Sequence, residues 1–324
     1  MTRPLGVFLV SLVALALAIA LAVSFGSEPV SLAKALSDST SLDHVIVFEV
    51  RLPRVLLGAV AGAGLSVVGV ALQAMLRNAL AEPFVLGVSG GSAVGATLAI
   101  LIGVSSASLI PLFALGGGLG ATLLVHAIAS ATRSDRGVST LLAGIVVNAM
   151  AAAVITLVKV LVTQSKAQEL LFWLTGFLDV PSPSALLAMT VYVTAGSLVL
   201  VRDAGRLNLL SLGSSAAEHL GVSVRALERR VYLASAIVVG AIVSFTGLIG
   251  FVGLLVPHAL RRVVGPDARV LMPASLGFGG AALVLCDLVS RASFRWLHRE
   301  PPVGAITALI GGGLFIYLLV RRRS

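Results

Sequence analysis

Long apolar runs recur along the whole chain and set its predicted architecture. Nearly every run is about the length that an α-helix needs to cross hydrocarbon. None shows the strict alternation of apolar and polar residues that marks a membrane β-barrel strand. The pattern therefore predicts an all-α, polytopic membrane helix bundle of about ten transmembrane helices. The predicted spans are 5–25, 55–75, 84–103, 109–131, 141–162, 185–201, 231–246, 249–260, 270–288 and 303–320, the eighth being short.

Two longer polar segments separate these runs. Residues 26–54 are partly polar and long enough to hold a surface helix. Residues 202–230 form the longest polar stretch, and we predict a turn around Gly205 followed by a short helix at 214–220. Gly221 would end that helix, since glycine readily adopts the left-handed conformation found after helix C-termini.

Glycines are frequent within the predicted spans. Small residues at helical spacing let helix backbones approach closely in lipid. Two clusters of these glycines therefore predict tight helix packing within the bundle. Their members are Gly58, Gly62, Gly64, Gly69, Gly116, Gly117, Gly118 and Gly120.

The basic residues give the predicted orientation. With the N-terminus in the cytoplasm and every span crossing, 15 of the 23 Lys and Arg residues fall on the cytoplasmic side. This excess agrees with the positive-inside rule. Ten spans place both termini in the cytoplasm.

Composition supports a membrane protein of one domain, 1–324. Hydrophobic residues make up 58% of the chain and charged residues only 11%, against about 25% charged in soluble domains. The net charge of +9 fits cytoplasmic retention of basic loops, and no stacking aromatics accompany it to indicate nucleic-acid binding. The first run, 5–25, is longer than a signal-peptide core and is interpreted as a retained helix. The single cysteine, Cys286, excludes an intrachain disulfide.

No motif for catalysis or for a bound cofactor or metal is found. The chain lacks a GxxxxGK[ST] phosphate loop, an HExxH pair and a GxSxG elbow. Acidic residues fall at predicted span ends, so no proton or sodium relay through the bundle is evident. An ion-coupled secondary transporter remains the main alternative to an ATP-driven one. A lipid-modifying membrane enzyme has no candidate catalytic cluster.

An ordered set of short motifs resembles the permease family of bacterial importers for iron–siderophores, haem and cobalamin (the FecCD type). The motifs cover nearly the whole chain in family order, and the set is far more specific than any one of them. They are Arg51-Leu52-Pro53-Arg54; Gly69, Gln73, Arg77-Asn78, Leu80-Ala81-Glu82-Pro83 and Leu86-Gly87; Trp173 and Gly176; Leu207-Asn208, Leu212-Gly213, Ala217 and Leu220-Gly221-Val222; Gly250-Phe251-Val252-Gly253-Leu254, Pro257-His258 and Arg261; and Pro273-Ala274-Ser275, Asp287, Arg291, Glu300, Pro302 and Gly304. Ala79, Pro301 and Gly313 depart from residues common in the family.

The resemblance implies a multi-pass permease subunit in the cell inner membrane, without a catalytic role or cofactor of its own. It would work as a dimer with two separate ATPase subunits, which would bind ATP and Mg. An extracytoplasmic substrate-binding protein would deliver the cargo, and membrane lipid would surround the bundle. Transport would be inward, by ATP-driven alternating access.

The resemblance also implies two contact sites. Arg51, Arg54 and Arg291 would face acidic residues of the binding protein, and we predict that Arg51 and Arg54 are exposed on the outer surface. The 202–230 loop would couple to the ATPase through Gly213, Ser214, Ser215, Ala217, Glu218, Leu220 and Gly221. Ferric siderophore is the favoured cargo because it is the commonest in the family, with haem and cobalamin as possibilities. The sequence leaves open whether the second permease is an identical copy or a paralogue.

Overall fold

The computed structural model describes residues 2–104, 109–132, 136–180 and 182–321. These residues form α-helices joined by short loops, with a π-helical turn at Val45–Arg51 and a 3₁₀ turn at Pro83–Leu86. The helices are α1 Thr2–Ser24, α2 Leu32–Ser37, α3 Leu42–His44, α4 Leu52–Met75, α5 Val88–Leu101, α6 Leu109–Ala131, α7 Arg136–Leu161, α8 Gln164–Thr175, α9 Pro183–Arg202, α10 Ala204–Ser211, α11 Ser214–His219, α12 Val224–Thr246, α13 Val252–Val264, α14 Ala268–Ala292, α15 Phe294–Leu297 and α16 Val303–Arg321. No β-strand occurs in the described ranges, which confirms the all-α prediction.

Every predicted span coincides with a helix, although the number of crossings stays a prediction. Six helical segments are long and apolar enough to cross a membrane. Two further apolar helices, α5 and α16, are shorter. The sequence did not predict α8, whose mixture of polar and apolar residues hides it from a search for apolar runs.

The surface of the bundle is more apolar than that of a soluble protein. Leu5 in α1 is 62% exposed and Val160 in α7 is 78% exposed. In α1, α6, α7 and α9, less than a third of the most apolar window is buried within the chain. Exposed apolar area on this scale needs lipid or another subunit to cover it, as expected for a multi-pass membrane protein.

Two helices are too short to cross alone and begin inside the bundle. At 1.5 Å per residue, α5 (14 residues) and α13 (13 residues) extend about 20 Å, less than the ~30 Å of hydrocarbon. Gly253 at the start of α13 lies against the carbonyl of Leu65 and against Gly69, both in the interior of α4. The predicted span 84–103 is therefore a 3₁₀ turn followed by a half-helix, and the predicted span 249–260 is a non-helical entry followed by a half-helix. Left-handed backbone at Gly87 (φ 75°) and Phe251 (φ 68°) makes each break.

Glycines lie at the closest contacts between helices, as predicted for most members of the two glycine clusters. A Cβ atom on Gly62 would meet the carbonyl of Gly279 in α14, and one on Gly69 would meet the carbonyl of Gly253. Gly117 in α6 lies equally close to Gly91 in α5. For Gly116 and Gly120 the prediction is wrong, because no atom lies within 4 Å of a Cβ placed there.

Candidate functional sites at the two ends of the bundle

A cluster of five charged residues lies where α1 ends and α4 begins, the end predicted to face outward. We call Arg51, Arg54, Asp287, Arg291 and Glu300 the outer charge cluster. The carboxylate of Asp287 is fully buried and accepts hydrogen bonds on both oxygens. Arg54 donates from Nε at 2.9 Å and Nη2 lies 2.8 Å away, both at Oδ1, while Arg291 Nε donates to Oδ2 at 2.8 Å. Two guanidiniums therefore share one buried carboxylate.

Arg51 and Arg291 also bind the last carbonyls of α1. Arg51 Nη1 donates to Val23 (3.1 Å) and Ser24 (3.3 Å), and its Nη2 donates to the carbonyl of Glu28. Arg291 donates to the carbonyls of Ala22 (2.9 Å) and Phe25 (3.1 Å). The last four carbonyls of a helix have no partner within the helix, and positive charge there is favoured by the helix dipole. These two arginines thus close the C-terminal end of α1.

The predicted exposure is therefore wrong for Arg51, which is buried, and holds only in part for Arg54, which is half-buried. Arg51 is 4% exposed and the Arg54 side chain is 20% exposed, while Arg291 is 3% exposed. The sequence shows only that the arginines lie at span ends. It does not show that Asp287 and the end of α1 supply enough acceptors for them to be buried. Their role in docking stays a prediction.

Glu300 links the cluster to the loop before α16. Its Oε2 accepts from Arg54 Nη1 at 2.9 Å, and its Oε1 accepts from Ser27 Oγ at 2.5 Å. Burial alone would raise the pKa of this carboxyl. The Ser27 hydrogen bond and the charge of Arg54 outweigh burial, so the pKa of Glu300 lies below its ordinary value of 4.5. Glu300 is therefore ionised at neutral pH and pins the loop to α4.

The predicted coupling region lies at the opposite end and contains two short helices, α10 and α11. Gly213 (φ 120°) precedes α11 and Gly221 (φ 82°) follows it, so the predicted helix at 214–220 and its glycine stop are confirmed to within one residue. The predicted turn around Gly205 is wrong. The chain turns at Asp203, and Gly205 lies in the first turn of α10. A side chain at Gly205 would come close to the guanidinium of Arg269.

Asp203 fixes this region to the bundle. It is 2% exposed and accepts hydrogen bonds from Arg230 Nε (2.7 Å) and Nη2 (3.2 Å) and from Arg206 Nη1 (2.5 Å). Burial would raise the pKa of Asp203, but the bonds from Arg230 and Arg206 outweigh it and hold the pKa below 3.8. Asn208 adds a second link, donating to Asp267 at 2.5 Å and accepting from the amide of Ala268 at 2.8 Å.

One face of α11 is exposed to solvent, whereas the opposite face packs against the rest of the chain. Ala217 is fully buried, while Ser214, Ser215 and Glu218 are exposed. Leu212 and Leu220, just before and just after the helix, are 69% and 58% exposed. Beside the helix a cleft of about 350 Å³ lies between the end of α4 and the start of α12. A short helix flanked by two exposed leucines offers the apolar surface that marks a protein contact site.

A third polar site, in the bundle interior, was missed by sequence reasoning. Glu82 Oε1 accepts the amide hydrogen of Phe251 at 2.5 Å, the residue whose left-handed backbone starts α13. Asn148 in α7 donates to the carbonyl of Phe84 (2.9 Å) and accepts from the amide of Gly90 (3.2 Å). Glu82 and Asn148 thus each bind an amide at the start of a short helix, where the first amides lack partners within the helix. Asn148 also shares the carbonyl of Phe84 with the amide of Gly87. The Glu82-Pro83 dipeptide before an apolar run is a turn signal that could have indicated this entry.

Comparisons with known proteins agree with this architecture. The sequence is 43% identical to the cobalamin import system permease protein of Halobacterium salinarum, over 85% of this chain and 73% of that protein. It is 36% identical to the hemin transport system permease protein of Yersinia pestis, over 99% and 96% of the two chains. A solved structure described as an inward-facing conformation of an ABC transporter assigned to the metal-chelate type superposes with a TM-score of 0.86. Its identity is 32%, and 98% and 99% of the two chains are covered. The profile of the FecCD transport family matches residues 13–321, and the chain belongs to that family.

Proposed function

We propose that this protein is the membrane-spanning permease subunit of a binding-protein-dependent ABC importer that carries a metal chelate into the cytoplasm. Family membership is the observation that carries the proposal, and the two ends of the bundle give it a mechanism. The chain supplies the path, whereas a separate ATPase subunit binds ATP and Mg and hydrolyses the nucleotide. An ion-coupled secondary transporter is disfavoured, because the family relatives named above are import-system permeases.

The contact with the ATPase would be α11. Exposed Ser214, Ser215 and Glu218 would enter a cleft of the ATPase, and Leu212 and Leu220 would cover its rims. The Asp203 hydrogen bonds with Arg206 and Arg230 make α10 and α11 move with α9 and α12. Closure of two ATPase subunits on ATP would then shift the bundle between outward and inward openings, with a second copy or a paralogue forming the other half of the path.

The binding protein would dock at the outer end. Among the three predicted arginines, Arg54 has the most exposed side chain, while Arg51 and Arg291 hold α1 in place. We therefore propose that the outer charge cluster builds a rigid platform for the binding protein. Direct ion pairs from Arg51 and Arg291 would require their hydrogen bonds to α1 to break first.

Three cargo classes have support. The commonest cargo in the family favours a ferric siderophore. The 43% identity to a cobalamin permease favours a corrinoid, and the 36% identity to a hemin permease favours haem. All three are large metal chelates, so a path between two permeases could carry any of them, with the binding protein selecting among them.

Co-purification and reconstitution test the proposal. The chain is expressed with its candidate ATPase, purified in detergent and placed in liposomes, and ATP hydrolysis is measured with and without the candidate binding protein. A stable complex whose hydrolysis and cargo uptake respond to the binding protein is expected. A chain that purifies alone and moves cargo on an ion gradient without ATP would overturn the proposal.

A further inference from the structure

A groove of about 680 Å³ opens between α1 and α9, at the end of the bundle predicted to face the cytoplasm. Its rims come from the first turns of α1 and the last turns of α9, where Leu5 and Leu198 are 62% and 64% exposed. In both helices less than a third of the most apolar window is buried within the chain. The groove therefore opens on a face that lipid or another subunit must cover.

The floor of the groove lies deep between the two rims. Beyond the groove α1 packs closely on α14, where a Cβ atom on Gly277 would meet the carbonyl of Ser11. Within the groove Ala63 of α4 and Leu276 of α14 separate α1 from α9. Val193, which is 3% exposed, lies on the wall, so the groove reaches the edge of the bundle core.

The groove is confined to one leaflet of the bilayer. It runs from Val193 to Val201 on α9 and from Arg269 to Leu276 on α14, which is about 10–12 Å at 1.5 Å per residue. Half of the hydrocarbon thickness is about 15 Å. An acyl chain that enters from the cytoplasmic surface and runs towards the midplane would lie along it.

The mouth of the groove carries positive charge. Arg269 is exposed there, beside Gly205 of α10. In the described parts of the chain no side chain forms a hydrogen bond or ion pair with its guanidinium. A second exposed arginine, Arg202, lies one helical turn beyond Leu198 and so on the same side of α9. An apolar groove thus ends at a guanidinium that lacks a counter-charge.

A buried hydroxyl lies on the wall between the mouth and the apolar depth. Ser197 is 5% exposed and lies one turn deeper than Val201. Its Oγ has no hydrogen-bond partner among the described residues, although buried hydroxyls normally have one. The ester oxygens of a glycerolipid lie between its phosphate and its acyl chains. Rotation about χ1 of Ser197 would let the hydroxyl donate to such an oxygen.

We propose that this groove binds a phospholipid with an anionic headgroup from the cytoplasmic leaflet. The phosphate would bind Arg269, an ester oxygen would accept from Ser197, and one acyl chain would cover Ala63 and Leu276. Basic pockets between membrane helices on the cytoplasmic side are known to recognise anionic headgroups. The inference needs only the membrane location of the chain and not the identity of its cargo.

Native mass spectrometry of the full chain in detergent, with its partner subunits, tests the site. Phosphatidylglycerol and phosphatidylcholine are titrated separately, and the affinity for the first bound lipid is measured. We expect wild-type protein to prefer phosphatidylglycerol by about fivefold or more. Arg269→Gln should reduce this preference to about twofold or less. Arg262→Gln, at an exposed arginine of α13 outside the groove, should keep it.

A second pair of variants tests the apolar part. Ala63→Phe fills the floor of the groove and should weaken binding of both lipids by about tenfold. Val10→Phe, at a 60% exposed position of α1 outside the groove, should leave both affinities unchanged. Arg269→Gln alters an exposed side chain and keeps the test decisive if Ala63→Phe fails to fold.

Three results would overturn the proposal. Equal wild-type affinity for the two lipids, or an unchanged preference in Arg269→Gln, would show that the groove holds no selected headgroup. Displacement of phosphatidylglycerol by an equal concentration of glycerol phosphate would assign Arg269 to a free phosphate compound. Loss of a second copy of the chain from Ala63→Phe, with lipid affinity unchanged, would assign the groove to a contact between subunits.

Discussion

Asp287 holds the outer charge cluster together. Replacing it with Asn tests how much its buried ion pairs with Arg54 and Arg291 stabilise the fold. The carboxylate is fully buried and carries three short contacts from two guanidiniums. Asn has the same shape but only one acceptor oxygen, so it can bind Arg54 or Arg291 but presents an NH₂ donor to the other. Three guanidiniums would then face one carboxylate. Removing one partner of a buried ion pair costs about 3–5 kcal/mol, and we expect Asp287→Asn to lower the free energy of unfolding by that amount.

Glu300→Gln is the matched comparison. Glu300 also binds Arg54, but its side chain is 30% exposed, so water can replace the lost charge and the expected cost is only about 1 kcal/mol. Unfolding in mixed detergent can be followed by maleimide labelling of Cys286, the only cysteine and the neighbour of Asp287. Equal and small losses for the two variants would refute the reasoning. A further check is Asp287→Asn/Arg291→Gln, which should lose less than the sum of the single variants, since the second change removes the unpaired charge.

Three other predictions concern packing and coupling. Gly69→Ala should lower the free energy of unfolding by about 2–3 kcal/mol in the same assay, because its Cβ meets the Gly253 carbonyl. Gly120→Ala, whose Cβ has no neighbouring atom within 4 Å, should leave stability unchanged or slightly raised. Similar losses in both variants would contradict the packing. Leu220→Glu should reduce ATP-driven uptake in proteoliposomes about tenfold or more without changing the unfolding midpoint, and normal uptake would exclude this leucine from the ATPase contact. The folded pKa of Asp203 lies below its ordinary value of 3.8. Its stabilisation of α10 and α11 should therefore be complete above the ordinary pKa and be lost as the pH falls through the lower folded pKa. Hydrogen exchange of these helices should show this loss, and Asp203→Asn should abolish the pH dependence.

Several features follow from the sequence alone because they depend on local composition. Continuous apolar runs have no stable alternative to helices in lipid, so α1, α4 and α6 were predicted nearly to their ends. Gly221 after a short polar segment predicted the end of α11 for an equally local reason. The family motifs likewise lie in the order of the chain and need no fold to be recognised.

The tertiary structure decided where charges and breaks are buried. Arg54 meets Asp287 and Glu300 across more than 230 residues of chain, so no local pattern could reveal that these groups satisfy one another. The same holds for Glu82, whose partner is an amide 169 residues away. Apolar runs look alike whether a helix crosses or starts midway, because the residues that enter a half-helix are as apolar as those of a full span. Only the long-range packing of glycines and the buried hydrogen bonds determine that difference.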